Sequence, residues 1–206
     1  MVCAVLVPTG KIALGKMAQA LVHGARLLQV DGNFDDCLEL ARKLAHDYPV
    51  ALVNSINPSR IEGQKTAAFE IVEELGGAPD ILALPYGGGG NLCAYALGFR
   101  ETGSLPQFVA AQAANRAGTA ASAIRIVEPA HEAEAQRALT DSGGGAPAIS
   151  DDAILDAWRL LAREEGLFCE PSSAAGLAAL LADPPQGARV VCVITGHGLK
   201  DPDAVA

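Results

Sequence analysis

Ile81-Leu82-Ala83-Leu84-Pro85-Tyr86-Gly87-Gly88-Gly89-Gly90-Asn91 is a short apolar run that breaks into four consecutive glycines. An apolar run bounded by glycine reads as a buried strand. The continuation, Asn91-Leu92-Cys93-Ala94-Tyr95-Ala96-Leu97, has the composition of a helix start. Strand, glycine turn and helix N-terminus in that order make an anion site. Without Cβ atoms successive N–H groups can converge, and the helix dipole favours negative charge there. Glycine runs are also plain flexible linkers. Placement between a strand and a helix favours the anion reading, with a phosphate as the guest.

The same alternation extends outward in both directions. Upstream, Val2–Val7 reads as a strand. Gly10–Val22 reads as an amphipathic helix with Ile12, Leu14, Met17, Ala18 and Leu21 on its apolar face, closed by His23-Gly24. Arg26–Val30 is a second strand, Asn33 is the N-cap of a helix through Leu44, and Val50–Asn54 is a third strand. A helix over Ile61–Leu75 ends at Gly76-Gly77-Ala78-Pro79. Downstream, the helix after the glycine turn runs to Gly98 and Gln107–Ala111 is a weak strand; Ala120–Ile126 is ambiguous. Ser150 caps a helix to Arg163, Ser172–Leu181 is another helix, and Arg189–Ile194 is a final strand before Thr195-Gly196-His197-Gly198. Gly143–Pro147 and Asp183–Gly187 read as turns or solvent loops. This rhythm predicts an α/β fold of parallel sheets covered by helices. It breaks once, near Asn54.

Composition narrows the function classes. A chain of 206 residues can bury roughly 70% of its unfolded surface. Aromatics are only 4%, and Ala and Leu dominate the apolar half, which suits helices packed on a sheet. A net charge of −9 with no basic cluster argues against nucleic acid or an anionic membrane as partner. No apolar run reaches membrane-spanning length. Met1-Val2-Cys3-Ala4-Val5-Leu6-Val7-Pro8 lacks the basic flank and cleavage site of a signal peptide, so the chain is expected to begin inside a fold. Cys3, Cys37, Cys93, Cys169 and Cys192 show no CxxC spacing and read as reduced, buried, cytosolic thiols. The four histidines have no ligand spacing, so no metal is expected.

Ligands of parallel α/β sheets sit at the carboxyl ends of the strands. Four features lie there. Gly10-Lys11-Ile12-Ala13-Leu14-Gly15-Lys16-Met17 nearly matches the phosphate loop of nucleoside triphosphatases, but Met17 stands where a hydroxyl must hold magnesium, which disfavours that reading. Asn54-Ser55-Ile56-Asn57-Pro58-Ser59-Arg60 offers polar groups in a turn fixed by Pro58, then an arginine fork suited to a phosphate; a turn and a capped helix account for it equally well. The glycine turn is the third. The fourth is Thr195, a hydroxyl that the glycines beside it let approach a flat ligand closely.

At these residues the sequence closely resembles the threonine synthases, pyridoxal-phosphate enzymes of the tryptophan-synthase-β-like (type II) fold. The matching stretches are Pro8–Lys16, Gln29–Cys37, Asn54–Thr66, Glu170-Pro171-Ser172-Ser173-Ala174-Ala175 and Thr195–Asp203, and they span nearly the whole chain. The resemblance implies that Gly87, Gly88, Gly89, Gly90 and Asn91 cradle the cofactor phosphate and that Thr195 faces the pyridine nitrogen. It implies that Asn54 and Arg60 hold the phosphate of the substrate, O-phosphohomoserine. Phosphate elimination followed by water addition would then give threonine, the work of a lyase in threonine biosynthesis, with the cofactor as electron sink. The family plan implies a remnant of a small α/β domain at 1–52 and most of a large one at 53–206. It further implies a cytoplasmic protein, a homodimer when complete.

The resemblance also marks departures. The family's Schiff-base lysine, and a Ser-Gly-Asn-Thr loop that holds the cofactor, lie upstream of the stretch matching residues 1–10. None of Lys11, Lys16, Lys43, Lys65 and Lys200 sits in that lysine's context, so no catalytic residue is assigned within this chain. The chain is expected to be the later part of such an enzyme, without its first third and some of its C-terminal end. A complementing N-terminal segment is then the expected partner. Gly88 stands where the family has a substrate-binding asparagine, residues 112–122 are shorter than the family's loop, and Val127-Glu128 replaces Gly-Asn. Two alternatives remain beside a threonine synthase. One is a non-catalytic relative that binds a phosphate or a partner chain. The other is a threonine or serine dehydratase-like sibling, which the Asn54–Arg60 element disfavours because such substrates carry no phosphate.

Overall fold

The computed structural model describes residues 2–9 and 14–201. The chain divides into two compact units, Met1–Asn54 and Ser55–Ala206. In the first, β1 (Ala4–Pro8) and β2 (Arg26–Val30) pair in parallel, Ala4 opposite Arg26 and Pro8 opposite Val30. α1 (Leu14–Val22) makes the crossover that parallel pairing requires. It ends at Gly24, whose φ of +77° lets the Ala25 N–H reach Ala20 O at 3.0 Å. Asn33 caps α2 (Phe34–Asp47) as the sequence predicts. Its Oδ1 accepts from the Asp36 N–H at 3.2 Å, and Asp36 Oδ2 accepts from the Asn33 N–H at 2.6 Å. Val7 and Cys37 are buried.

Residues 10–13, which hold much of the phosphate-loop lookalike, lie outside the described residues. The strand expected over Val50–Asn54 does not form: the segment is irregular, and Val50 and Val53 are 54% and 85% exposed. It follows Pro49, and none of the described strands pairs with it; an apolar run without a neighbouring strand has no ladder to join.

In the second unit, α3 (Pro58–Gln64) and α4 (Thr66–Leu75) replace the single helix expected over Ile61–Leu75. Lys65 lies between them, its N–H on Ile61 O, and Thr66 Oγ1 donates to Gly63 O at 2.9 Å. β3 (Ile81–Pro85), β4 (Gln107–Ala113), β5 (Ala148–Ile149) and β6 (Val190–Cys192) form one parallel sheet in the order β5-β4-β3-β6. The stretch Gly143–Pro147, expected as a turn or solvent loop, lies partly along the sheet. The Gly145 N–H bonds Phe108 O and the Ala110 N–H bonds Gly145 O, both at 2.9 Å, and a Cβ on Gly144 would stand 2.2 Å from Phe108 O.

Helices cover both faces, as the continuous apolar β3 requires. On one face Leu82, Leu84, Tyr86, Phe108 and Ala110 pack with α4, α5 (Gly90–Glu101) and α6 (Glu132–Ser142). On the other, Val109, Ala111 and Ala113 pack with α7 (Asp151–Glu165) and α8 (Ala175–Ala182) around Ile154, Trp158 and Leu161. α8 approaches β3 so closely that a Cβ on Gly176 would stand 3.1 Å from Leu84 N. The helix expected over Ser172–Leu181 begins as a 3-10 turn, Pro171–Ala174, and becomes α-helical at Ala175. The ambiguous Ala120–Ile126 holds a short 3-10 turn, Ser122–Ile124. The five cysteines are free, but only Cys37 and Cys169 are buried; Cys93 and Cys192 are half-buried and Cys3 is exposed.

Candidate functional site

Because all four strands of the larger sheet are parallel, their carboxyl ends share one edge. The Tyr86 N–H still bonds Ala111 O at 2.7 Å, so sheet pairing persists up to the first glycine. The chain then turns, and Gly89, with φ of +84°, caps α5 by giving its carbonyl to the Cys93 N–H at 3.0 Å. Among the described residues, the N–H groups of Gly87, Gly88, Gly89, Gly90 and Asn91 donate to no protein acceptor. Gly89 is buried and the other four are half-buried. Idle donors gathered at the positive end of a 12-residue helix have the chemistry to take an anion. The missing Cβ atoms matter too. One on Gly87 would stand 3.2 Å from Ala123 O and from Ile124 Cα, and one on Gly89 would stand 3.2 Å from His131 Cβ.

The segment after β4 walls this turn. The His131 N–H bonds Gly88 O at 3.1 Å. His131 Nε2 lies 2.7 Å from Ser55 O, and a carbonyl only accepts, so Nε2 carries the proton. Ile61 Cδ1 lies 3.6 Å from where a Cβ on Gly90 would be. The Ser55–Ile61 stretch therefore borders the glycine turn, and Arg60 sits exposed within it on α3. Asn57 caps that helix, its Oδ1 accepting from the Ser59 N–H at 2.9 Å. Asn54 is half-buried and is the last residue of the other unit.

Beneath the turn lies a polar network that the sequence reading did not single out. The Tyr86 hydroxyl donates to Glu132 Oε2 at 2.8 Å, and the Arg116 guanidinium lies 5.2 Å from the Tyr86 ring centroid. Arg116 also donates to Gln112 Oε1 through Nε and Nη2. Hydrogen bonds from Gln136 and then Tyr86 hold the Glu132 carboxyl below its ordinary value of 4.5, while burial and then Glu132 push the Tyr86 hydroxyl up. A depressed carboxyl contributes stability that is full above its unfolded value and is lost as pH falls through the folded one. Glu132→Gln is therefore expected to lose less stability than wild type between neutral pH and about pH 3, as read from urea midpoints. Equal acid sensitivity in the two proteins would show that Glu132 is not an anchor.

Thr195 follows β6 and is exposed. Its hydroxyl lies 2.9 Å from Ser173 Oγ, which is fully buried and also accepts from the Thr195 and Gly196 N–H groups at 3.2 and 2.8 Å. The neighbouring Ser172 Oγ accepts from the Ala123 N–H at 3.0 Å, tying the wall segment to the same 3-10 turn. Glu170 is 4% exposed, and a Cβ on Gly196 would stand 1.9 Å from its Oε1. Glu170, Ser172 and Ser173 were visible in the sequence only as a matched stretch, with no role attached.

Among the described residues of the larger unit, neither lysine, Lys65 nor Lys200, offers a nucleophile at this edge. Lys65 Nζ pairs with Glu62 at 2.6 Å and Glu101 at 2.8 Å, and the Glu101 hydrogen bond foremost raises its pKa. Lys43 and Lys200 are exposed, and Lys11 and the Lys16 side chain lie outside the described residues. Among the described residues no His, Cys, Asp and Glu group could hold a metal, and no helix is long and apolar enough to cross a membrane.

Comparison with known proteins places this geometry. Residues 1–196 match the family described as pyridoxal-phosphate dependent enzyme. Threonine synthase of Mycobacterium bovis is 53% identical over 224 residues, covering 98% of this chain and 62% of that protein. Threonine synthase of Synechocystis sp. is 51% identical, covering 97% and 57%. The chain thus spans about 62% or less of the length of these relatives. Among solved structures, Escherichia coli threonine synthase superposes with a TM-score of 0.80 at 24% identity, covering 98% of this chain and 54% of that one. Serine racemase of Dictyostelium discoideum gives 0.79 at 22%, covering 96% and 69%. The expected type II fold is the fold of this chain.

Proposed function

From a chain that belongs to the pyridoxal-phosphate-dependent enzyme family, we propose the cofactor-binding part of a threonine synthase that converts O-phosphohomoserine and water into threonine and phosphate. The five idle N–H groups of Gly87–Asn91 carry this reading. They hold the phosphate of pyridoxal phosphate, with the dipole of α5 behind them. Thr195 meets the ring nitrogen. Asn54 and Arg60 take the substrate phosphate, the arginine as a two-pronged donor. Ile124 and Ile126 flank the turn and keep water from its side. When bound, the cofactor supplies an electron sink. Residues 1–52 belong to a small domain and 53–206 to most of a large one, in a cytoplasmic homodimer.

With no lysine in the family's catalytic context, the 206-residue chain alone is expected to make no threonine from O-phosphohomoserine. Adding the lysine-bearing segment of a relative, fused upstream or as a second chain, is expected to restore turnover. Arg60→Ala in that complex is expected to raise KM, and to lower kcat as well if the contact tightens as phosphate leaves. Threonine made by the isolated chain, free of host enzyme and abolished by Arg60→Ala, would overturn the reading of this chain as catalytically incomplete. Failure of the chain to bind pyridoxal phosphate or inorganic phosphate in calorimetry would overturn the cradle.

A further inference from the structure

We infer that Ser173 is a positioning residue that commits the Thr195 hydroxyl to act as a hydrogen-bond donor toward the bound ring. The inference rests on the reading of Thr195 as the residue that meets the ring nitrogen. A serine hydroxyl has one proton and two lone pairs. Both lone pairs of Ser173 Oγ are taken, by the Gly196 N–H at 2.8 Å and the Thr195 N–H at 3.2 Å. Its proton has two candidate acceptors, Thr195 Oγ1 at 2.9 Å and Gly196 O at 3.3 Å. The second lies beyond the usual O–H···O range of about 2.5–3.0 Å. The proton therefore goes to Thr195.

Thr195 cannot then donate back to Ser173, whose lone pairs are full. Among the described residues Thr195 Oγ1 has no other partner, so its own proton is left for a ligand. Ser173 is 0% exposed, so water does not reach its side of these bonds. The edge thus presents one oriented O–H donor, and the ligand atom it fits is an aromatic nitrogen without a proton. Ser173 touches no ligand itself; it acts through Thr195.

The test compares three probes on the 206-residue chain: pyridoxal 5′-phosphate, its 1-deaza analogue (C–H in place of the ring nitrogen) and inorganic phosphate. The proteins are wild type, Ser173→Ala and Ser173→Cys. Wild type is expected to bind pyridoxal phosphate about three- to tenfold tighter than the deaza analogue, the worth of one net hydrogen bond. The ring 15N of labelled cofactor is expected to read as unprotonated at neutral pH. Ser173→Ala is expected to lower the affinity ratio by about twofold or more, because the Thr195 hydroxyl keeps its proton but loses the bond that orients it, and Ser173→Cys to lower it less, because a thiol is a weak donor. Inorganic phosphate affinity is expected to stay the same throughout. A merely structural role would weaken both organic ligands alike and leave the ratio untouched. Equal affinities in wild type, a protonated ring nitrogen, or an unchanged ratio in Ser173→Ala would overturn the inference while leaving the phosphate cradle intact. Wild type that binds none of the three probes would overturn both. If circular dichroism shows Ser173→Ala unfolded, Ser173→Cys carries the comparison.

Discussion

Gly89→Asp is expected to lower the affinity for pyridoxal phosphate, and for inorganic phosphate, by about a hundredfold or more. Three effects act together. Gly89 has φ of +84°, a region that costs a side-chain-bearing residue roughly 1–3 kcal/mol. A Cβ there would stand 3.2 Å from both His131 Cβ and His131 O, so the wall segment would have to give way. The added carboxylate would lie among the N–H groups that attract an anion. About 2.7 kcal/mol in sum corresponds to a hundredfold. Gly103 supplies the control. It shares the left-handed backbone, with φ of +78°, but lies past the far end of α5 with nothing within 4 Å of its Cβ position. Gly103→Asp is expected to cost stability and leave phosphate affinity unchanged. Wild-type affinity in Gly89→Asp, measured by calorimetry, would remove the glycine turn from the site.

The turn was legible in the sequence because everything that makes it is local. A buried parallel strand needs a continuous apolar run, and Ile81–Leu84 is one; a strand-to-helix turn with free N–H groups needs glycine, and four stand in a row. Val50–Asn54 shows the limit of the same argument. Its apolar run resembles β3 locally, but a strand exists only with a neighbour, and local composition does not report one. α6 could have been found, since Ala135, Ala138 and Leu139 recur at helical spacing and all three are buried. Ser173 could not have been assigned its contacts in this way. They depend on two segments 22 residues apart meeting across the end of the sheet. The same holds for the Tyr86–Glu132 bond, which spans 46 residues. The resemblance to threonine synthases pointed to Thr195, but only the folded chain shows what holds its hydroxyl.

Gly98→Val is expected to destabilise the larger unit by about 3 kcal/mol or more, above the usual range for overpacking. Gly98 is on α5 and needs no unusual backbone; what it provides is space. A Cβ at this position would stand 2.3 Å from Lys65 O and 2.7 Å from Ala68 Cβ. The first of these is backbone at the α3–α4 junction, so no rotamer change relieves the clash, and α5 must move away. For a unit of this size about 3 kcal/mol lowers Tm by roughly 6–12 °C. Gly63 is the opposite case, a helical glycine with nothing within 4 Å of its Cβ position. Gly63→Ala is expected to raise stability by about 0.5–1 kcal/mol through reduced chain entropy. The two variants therefore separate the packing of a glycine from its flexibility. Because α5 also presents the N–H groups of Gly90 and Asn91, its displacement is expected to weaken phosphate binding in Gly98→Val protein that remains folded. A Tm within a degree or so of wild type would mean that α5 does not approach the Lys65 backbone closely enough to exclude a side chain at Gly98.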